Sequence, residues 1–308
     1  MTNKIVRVID LVPGKVETVR SIDANSLNAQ QFWTEFVLTH TPVIIKGAIS
    51  DWPAVEKWKM AGYLESRVDD EKVNMSRTFN ALPMDIYYDT ALYEQRLADC
   101  LRELYSADDD MTLSIPATQI PEQWEEDIGD YSFISKAFEE RPLFYVGKRV
   151  FIYKNASTDW HFHPTDETIT SQIVGSKKVS LFRLNKGDWR GFSRPISSNL
   201  HHMSCGREFF PKDRQITKYE GIIEAGDSIY IPPFWWHGID PVNAEPGVTY
   251  AHCFRTPITR FGDWNEPIIK GAIKTVMLQA PMVLIPLLAR VAYSTYRRKK
   301  ANEKWWPI

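Results

Sequence analysis

Three histidines stand in two short runs whose spacing suits a metal ion. The first run is Asp159-Trp-His161-Phe-His163-Pro-Thr-Asp-Glu167, continuing to Gly175. The second is Gly226-Asp-Ser-Ile-Tyr-Ile-Pro232-Pro-Phe-Trp-Trp-His237. Side chains alternate between the faces of an extended strand, so His161, His163 and Glu167 are expected on one face. Neutral imidazole is a ligand for iron, zinc, copper and nickel. Two histidines from one strand and a third from a later strand would grip such an ion and leave coordination positions open, as a catalytic metal requires. Glu167 is a further ligand candidate, and Asp166 a weaker one for the same role. A lone histidine is more often a surface or core residue. Here both runs occur, in order, and that favours a metal.

The elements that must position these residues are mostly strands. Residues 143–183 are strand-like, with Leu143-Phe-Tyr-Val, Val150-Phe-Ile-Tyr and then the histidine run. Gly175-Ser176 between two apolar runs reads as a tight hairpin. Strands resume at Gly221-Ile-Ile, Ser228-Ile-Tyr-Ile and Val248-Thr-Tyr-Ala. Upstream, residues 1–24 read as an extended lead-in with short strands, and 26–39 as a helix. Asn28 and Gln31 have the spacing of a capping box at that helix's start. Thr41 to Gly47 reads as a buried strand, and residues 54–66 and 92–106 as helices. The stretch 184–220 is polar and turn-rich, and a loop of that length inside a compact domain is often functional. It carries Arg207 and the pair His201-His202, which reads as a solvated turn feature because adjacent side chains of an extended chain point apart.

The 308 residues suffice for one large domain or two small ones. Apolar content of 44% and charged content of 25% are ordinary for a globular chain. A net charge of −2 argues against a dedicated nucleic-acid binder. Eleven tryptophans suggest an aromatic-lined core or pocket. Cys100, Cys205 and Cys253 are sparse and widely spaced, which reads as reduced thiols and a cytoplasmic location. No signal peptide is read at the N-terminus.

With these motifs in place, the sequence resembles the JmjC-like, cupin-8 branch of the cupin superfamily over roughly residues 26–256. The resemblance is carried by Phe36 to Pro53 with Trp58 following, by Gln172-Ile-Val-Gly-Ser-Lys-Lys-Val, and by Ile231-Pro-Pro-Phe-Trp-Trp-His237. It implies a mainly β fold, a double-stranded β-helix (jelly-roll) core with flanking helices. Residues 1–270 would then be one cupin domain, with an N-terminal α/β elaboration over 1–140 and the jelly-roll over 141–260. It also implies Fe(II) and 2-oxoglutarate as cofactors, and hydroxylation of a protein side chain, a nucleoside or a small molecule. Carried over by position, His161 and His237 are metal ligands and His163 takes the place of the usual Asp or Glu. Thr158 and Lys177 match the positions that bind the distal carboxylate of 2-oxoglutarate. Trp235, Trp236 and His252 are expected near the substrate pocket, and His252 stands where many members have Asn.

The chain departs from the pattern in one further respect, a residue inserted between His-x-His and Gly175. The imidazole at 163 makes the metal site one charge more positive. Three readings therefore stand: a 2-oxoglutarate-dependent oxygenase, a 2-oxoglutarate-independent dioxygenase with a three-His (plus Glu167) site, and a non-catalytic cupin-fold binding protein. The substrate is not named by the sequence.

The C-terminal tail, residues 271–308, is expected to be helical. Its apolar run Val276–Ala289 is broken by Gln279, Pro281 and Pro286, and is followed by Arg297-Arg-Lys-Lys300. It is shorter than the ~20 residues that span a bilayer as a helix. A homodimer contact is expected, with attachment to a membrane surface as the competing reading.

Overall fold

The computed structural model describes residues 7–79, 92–142, 146–163, 166–184, 203–204, 215–256 and 289. The expected tail apart from residue 289, the strand Leu143-Phe-Tyr and His201, His202 and Arg207 lie outside them.

The chain is mainly β, as expected. The lead-in forms β1 (Val16–Thr18) and β2 (Ser21–Asp23). A helical segment follows over Ala29–Gln31 and Phe32–Val37, its second part wound more widely. The capping box at its start is present: Gln31 N–H donates to the Asn28 side chain at 2.9 Å, and Asn28 N–H to the Gln31 side chain at 3.2 Å. Then come β3 (Val43–Lys46), β4 (Lys72–Phe79), β5 (Leu92–Arg96), the helix Leu97–Ser106 and β6 (Met111–Gln119). The core strands are β7 (Lys148–Lys154), β8 (Thr158–Phe162), β9 (Glu167–Val174) and β10 (Ser176–Phe182). After the short β11 (Met203–Ser204) they continue as β12 (Lys218–Glu224), β13 (Ser228–Ile231), β14 (Trp236–Pro241) and β15 (Pro246–Phe254).

Two sheets face one another. One has the order β1-β12-β10-β14-β8-β11 and the other β2-β3-β13-β9-β15-β7-β6-β4-β5. From β7 to β10 and from β12 to β15, successive strands lie in opposite sheets. That alternation defines a double-stranded β-helix, and it corrects one expectation. Gly175 does not close a hairpin, because β9 pairs with β13 and β15 while β10 pairs with β12 and β14. With φ at +77° it turns the chain across from one sheet to the other.

Two helix expectations are also corrected. Of residues 54–66 only Pro53–Lys57 is α-helical, and the chain turns at Gly62, which has φ +75°. Of residues 92–106 the first five form β5, paired with β4, and the helix begins at Leu97. The apolar stripe lies within the helix, where Leu97, Leu101 and Leu104 are buried, whereas Leu92 is exposed.

The outer face of the larger sheet is covered by the N-terminal elements. Phe32, Phe36, Trp52, Trp58 and Trp124 join Ile169, Ile173 and Tyr230 in one apolar cluster. Asp127 anchors this layer. It is fully buried and accepts hydrogen bonds from Lys57 (2.6 Å), Trp58 (3.0 Å) and Tyr63 (2.9 Å). The outer face of the smaller sheet presents Trp160, Phe162, Phe182 and Trp236, closed over by Val8 and Val12 of the lead-in. Lys218 staples that segment by donating to the carbonyls of Ile9 and Val12.

Candidate metal centre

The inner faces carry an apolar cluster that includes Val179, Leu181, Ile223, Ile229 and Ile231, and beside it the largely polar wall of a cavity. On β8, Trp160 and Phe162 point outward, which turns His161 inward. Directly opposite, His237 of β14 pairs with His161, and the register then slips so that Ile239 pairs with Thr158. This bulge puts Thr158 and His161, three residues apart, on the same inner surface. His163 follows the end of β8. Its carbonyl accepts a hydrogen bond from Phe234 N–H at 3.0 Å, in a turn where Phe234 takes a positive φ of 65°. The turn therefore ties the two histidine-bearing runs together.

The three imidazoles converge. Ring centroids are 4.0 Å apart for His161 and His237, 5.3 Å for His161 and His163, and 5.2 Å for His163 and His237. One ligand atom from each lies within 4.8 Å of the others. His161 Nδ1 contacts the Asp159 carbonyl at 2.9 Å, and His237 Nδ1 the Trp235 carbonyl at 3.0 Å. A carbonyl can only accept, so both Nδ1 atoms carry the proton and both Nε2 atoms keep a lone pair for the cavity. Burial pushes the His161 pKa down to about 4. Burial, with repulsion from His161 and His163, holds that of His237 well below the ordinary imidazole range. Both rings are therefore neutral at physiological pH, the form that binds a metal. Neutral, preoriented nitrogen donors fit a first-row divalent cation.

The cavity around them holds about 550 Å³ of empty space, its mouth included. Among the described residues that line it, none is acidic. Thr158 and Lys177, both expected here, are in its wall. Lys177 is 5% exposed, and its Nζ lies 3.7 Å from the centre of the Tyr153 ring. Among the described residues it has no ion-pair partner. Desolvation pulls its pKa down to about 7. An anion bound beside it would favour the charged form and offset that desolvation.

Several expected site residues lie elsewhere. Glu167 does not share a face with the histidines. The alternation assumed one continuous strand, but β8 ends at Phe162 and Glu167 opens β9 in the opposite sheet. Thr168 and Thr170 of β9 face the cavity, so Glu167 faces the apolar layer outside. There it accepts from Tyr230 Oη at 2.6 Å and from Thr256 at 3.4 Å, and burial raises its pKa to about 8. Asp166 is buried beside it and is not in the three-histidine group.

Trp235, Trp236 and His252 are not in the cavity wall: alternation turns Trp236 and His252 outward, and Trp235 precedes β14. His237 and Ile239 point inward, so Trp236 stacks outward on Phe182 with ring centroids 5.7 Å apart. Trp235 donates to the His40 carbonyl at 2.8 Å. On β15, Thr249, Ala251 and Cys253 point inward, so His252 turns out to meet Glu139 at 2.8 Å.

The sequence reading missed Arg149, Thr168, Thr170, Thr249 and Cys253, all in the cavity wall. The signal for Arg149 lay in β7, where Arg149 and Phe151 alternate with the core residues Val150 and Ile152.

Comparison with known proteins agrees with this geometry. The profile of the cupin-like domain (Cupin_8) matches residues 29–259. The chain belongs to that family. It is 23% identical over 258 residues to lysine-specific demethylase JMJ30 of Arabidopsis thaliana, covering 81% of this chain and 59% of that protein. It is 24% identical to lysine-specific demethylase 8 of Xenopus tropicalis, covering 72% and 50%. To human tRNA wybutosine-synthesizing protein 5 it is 21% identical, covering 72% and 73%. The chain thus spans about half the length of the demethylases it matches.

Proposed function

We propose that this protein is a non-haem Fe(II)-dependent oxygenase that uses 2-oxoglutarate to hydroxylate its substrate. The observation that carries this reading is the placing of a three-imidazole donor set and a buried, unneutralised lysine in one cavity. His161, His163 and His237 would hold the iron. Lys177 would pair with the distal carboxylate of 2-oxoglutarate, with Thr158 as hydrogen-bond donor to it. Iron with 2-oxoglutarate supplies the oxidising power toward a C–H bond of the substrate. The chain's own contribution is to keep the donors neutral and fixed through their Nδ1 hydrogen bonds, and to desolvate the co-substrate's charge. With no carboxylate among the donors, the ion keeps its full double charge, which a dianionic co-substrate offsets.

One observation favours a second reading, a dioxygenase that needs no 2-oxoglutarate: Glu167 is turned away, so the donor set is purely histidine. The test is to supply Fe(II), oxygen and 2-oxoglutarate to the protein and follow succinate release and oxygen uptake. Slow, metal-dependent formation of succinate is expected even without the primary substrate. Metal binding with no binding of 2-oxoglutarate would move the assignment to the second reading. Absence of metal binding would leave a cupin-fold binding protein.

A further inference from the structure

Lys177 is held in the cavity by a ring and not by an acid. Its Nζ lies 3.7 Å from the centre of the Tyr153 ring, and Tyr153 is not itself among the lining residues. The ring thus backs the wall, and the ammonium is what the cavity meets. A lysine carries its charge on a flexible stem, so its head wanders unless something fixes it. The face of an aromatic ring attracts a cation, most strongly away from water. It bears no net charge, so it places the ammonium without neutralising it. A carboxylate in the same position would form an ion pair that an arriving anion has to displace.

The ring can serve in this way only if it is itself immobile, and its surroundings make it so. The Tyr153 hydroxyl accepts a hydrogen bond from Gln172 Nε2 at 2.7 Å. The same Nε2 donates to the Val174 carbonyl, and Gln172 Oε1 accepts from the Thr249 hydroxyl at 2.9 Å. The Gln172 backbone is tied in turn to Asp227 and Gly226. Gly247 stands opposite Tyr153, so close that an added Cβ would lie 2.3 Å from a ring carbon. Tyr153, Gln172 and Thr249 are all buried.

We propose that Tyr153 is a positioning residue that fixes the Lys177 ammonium at one point of the cavity, and that it thereby sets the length of the 2-oxo diacid the protein accepts. This rests on the co-substrate reading given above. A keto acid anchored at the imidazoles has its far carboxylate at a distance set by its own carbon chain. A fixed ammonium meets that carboxylate at one chain length only. With one carbon fewer the charge-assisted bond is stretched, and with one more the chain must buckle. An ammonium free to move would follow the carboxylate and bind all three lengths alike. The selectivity therefore lies in the ring behind the lysine, in a residue that touches no ligand.

The experiment uses the full chain loaded with Mn(II), so that binding is read without turnover. Calorimetry compares 2-oxoglutarate with oxaloacetate, one carbon shorter, and 2-oxoadipate, one carbon longer. The wild type should prefer one length over the others by about tenfold or more. Tyr153→Leu should reduce that preference to less than about threefold, whereas Tyr153→Phe, which keeps the ring face, should retain most of it. Tyr153→Met is the variant to read if a thermal melt shows the Leu form unfolded. A second measurement needs no co-substrate. Acetic anhydride is added to the Mn(II) protein, and acetylation of Lys177 relative to Lys178 is followed by mass spectrometry. Loss of the ring should raise that ratio by about threefold or more, because the released amine reaches into the cavity. The proposal is overturned if Tyr153→Leu keeps the length preference, if Tyr153→Phe loses it as fully as Tyr153→Leu, or if the acetylation ratio does not change. If no keto diacid binds the wild type, the co-substrate reading fails and the length rule with it, and the acetylation ratio alone decides whether Tyr153 positions Lys177.

Discussion

At the scale of single residues, neighbours in the chain have opposite environments, and this makes sharp predictions. Lys177 faces the cavity, whereas Lys178 faces out, its Nζ 4.0 Å from Glu220. Lys177→Ala should weaken 2-oxoglutarate binding by about tenfold or more, and Lys178→Ala by less than about twofold. Titration of both variants against 2-oxoglutarate checks this, and equal effects would refute the assignment. Alanine at His161 or His237 should leave the protein mostly metal-free by elemental analysis, since each contributes one of three ligands. Glu167 gives a prediction about pH. Its folded pKa of about 8 exceeds the ordinary 4.5, so folding favours the protonated form. Its contribution to stability is therefore greatest below pH 4.5, falls as pH rises toward 8, and levels off above that. Glu167→Gln keeps the neutral shape. It should flatten that part of the curve and stabilise the protein at pH 8 by at least ~1 kcal/mol, the equivalent of about one pK unit. Denaturant melts at pH 5 and pH 8 decide it. The histidines were legible because residue type and spacing define a metal site without knowledge of the fold. Glu167 was not, because the sequence does not show where one strand ends and the next sheet begins.

At the scale of elements, a strand's inner residues work as a set. Gly247 of β15 stands opposite Tyr153 of β7, and a Cβ there would lie 2.3 Å from the tyrosine's ring carbon and hydroxyl. The Tyr153 ring in turn supports Lys177. Gly247→Ala should therefore cost stability by roughly 1–3 kcal/mol through overpacking. It should also weaken 2-oxoglutarate, although Gly247 touches no ligand. A melt together with a binding titration tests both, and unchanged affinity would show that Tyr153 can move without disturbing Lys177. Strand positions were largely readable from β-branched runs bounded by glycine and proline. Their pairing was not. Gly175 reads locally as a hairpin turn, and only the long-range pairing of β9 and β10 into different sheets shows that it is a crossing. Likewise Leu92 to Arg96 extends a leucine pattern that looks helical, while pairing with β4 makes it a strand.

At the scale of the whole molecule, no described helix is long and apolar enough to cross a membrane. The apolar run Val276–Ala289 and the basic cluster after it remain an expectation from sequence. We expect residues 271–308 to form a homodimer contact, and their deletion to convert a dimer into monomer or aggregate by light scattering. A monomeric full-length protein that floats with anionic liposomes would favour the membrane surface instead. The fold class was legible because three separated motifs fall in order along the chain. The direction of each cavity-lining side chain was not, because it depends on which sheet each strand joins.

The pairing of His161 with His237 carries a consequence for folding. These cross-strand partners come from distant parts of the chain, separated in sequence by β9 to β13. Non-local pairing of this kind forms slowly as a rule, and we expect it late on the folding path. A chain in which this pair has not formed lacks the three-histidine site, and an ion that binds only the native fold draws the population toward it by mass action. Metal added during refolding should raise the final yield of native protein while leaving the earliest phase of collapse unchanged.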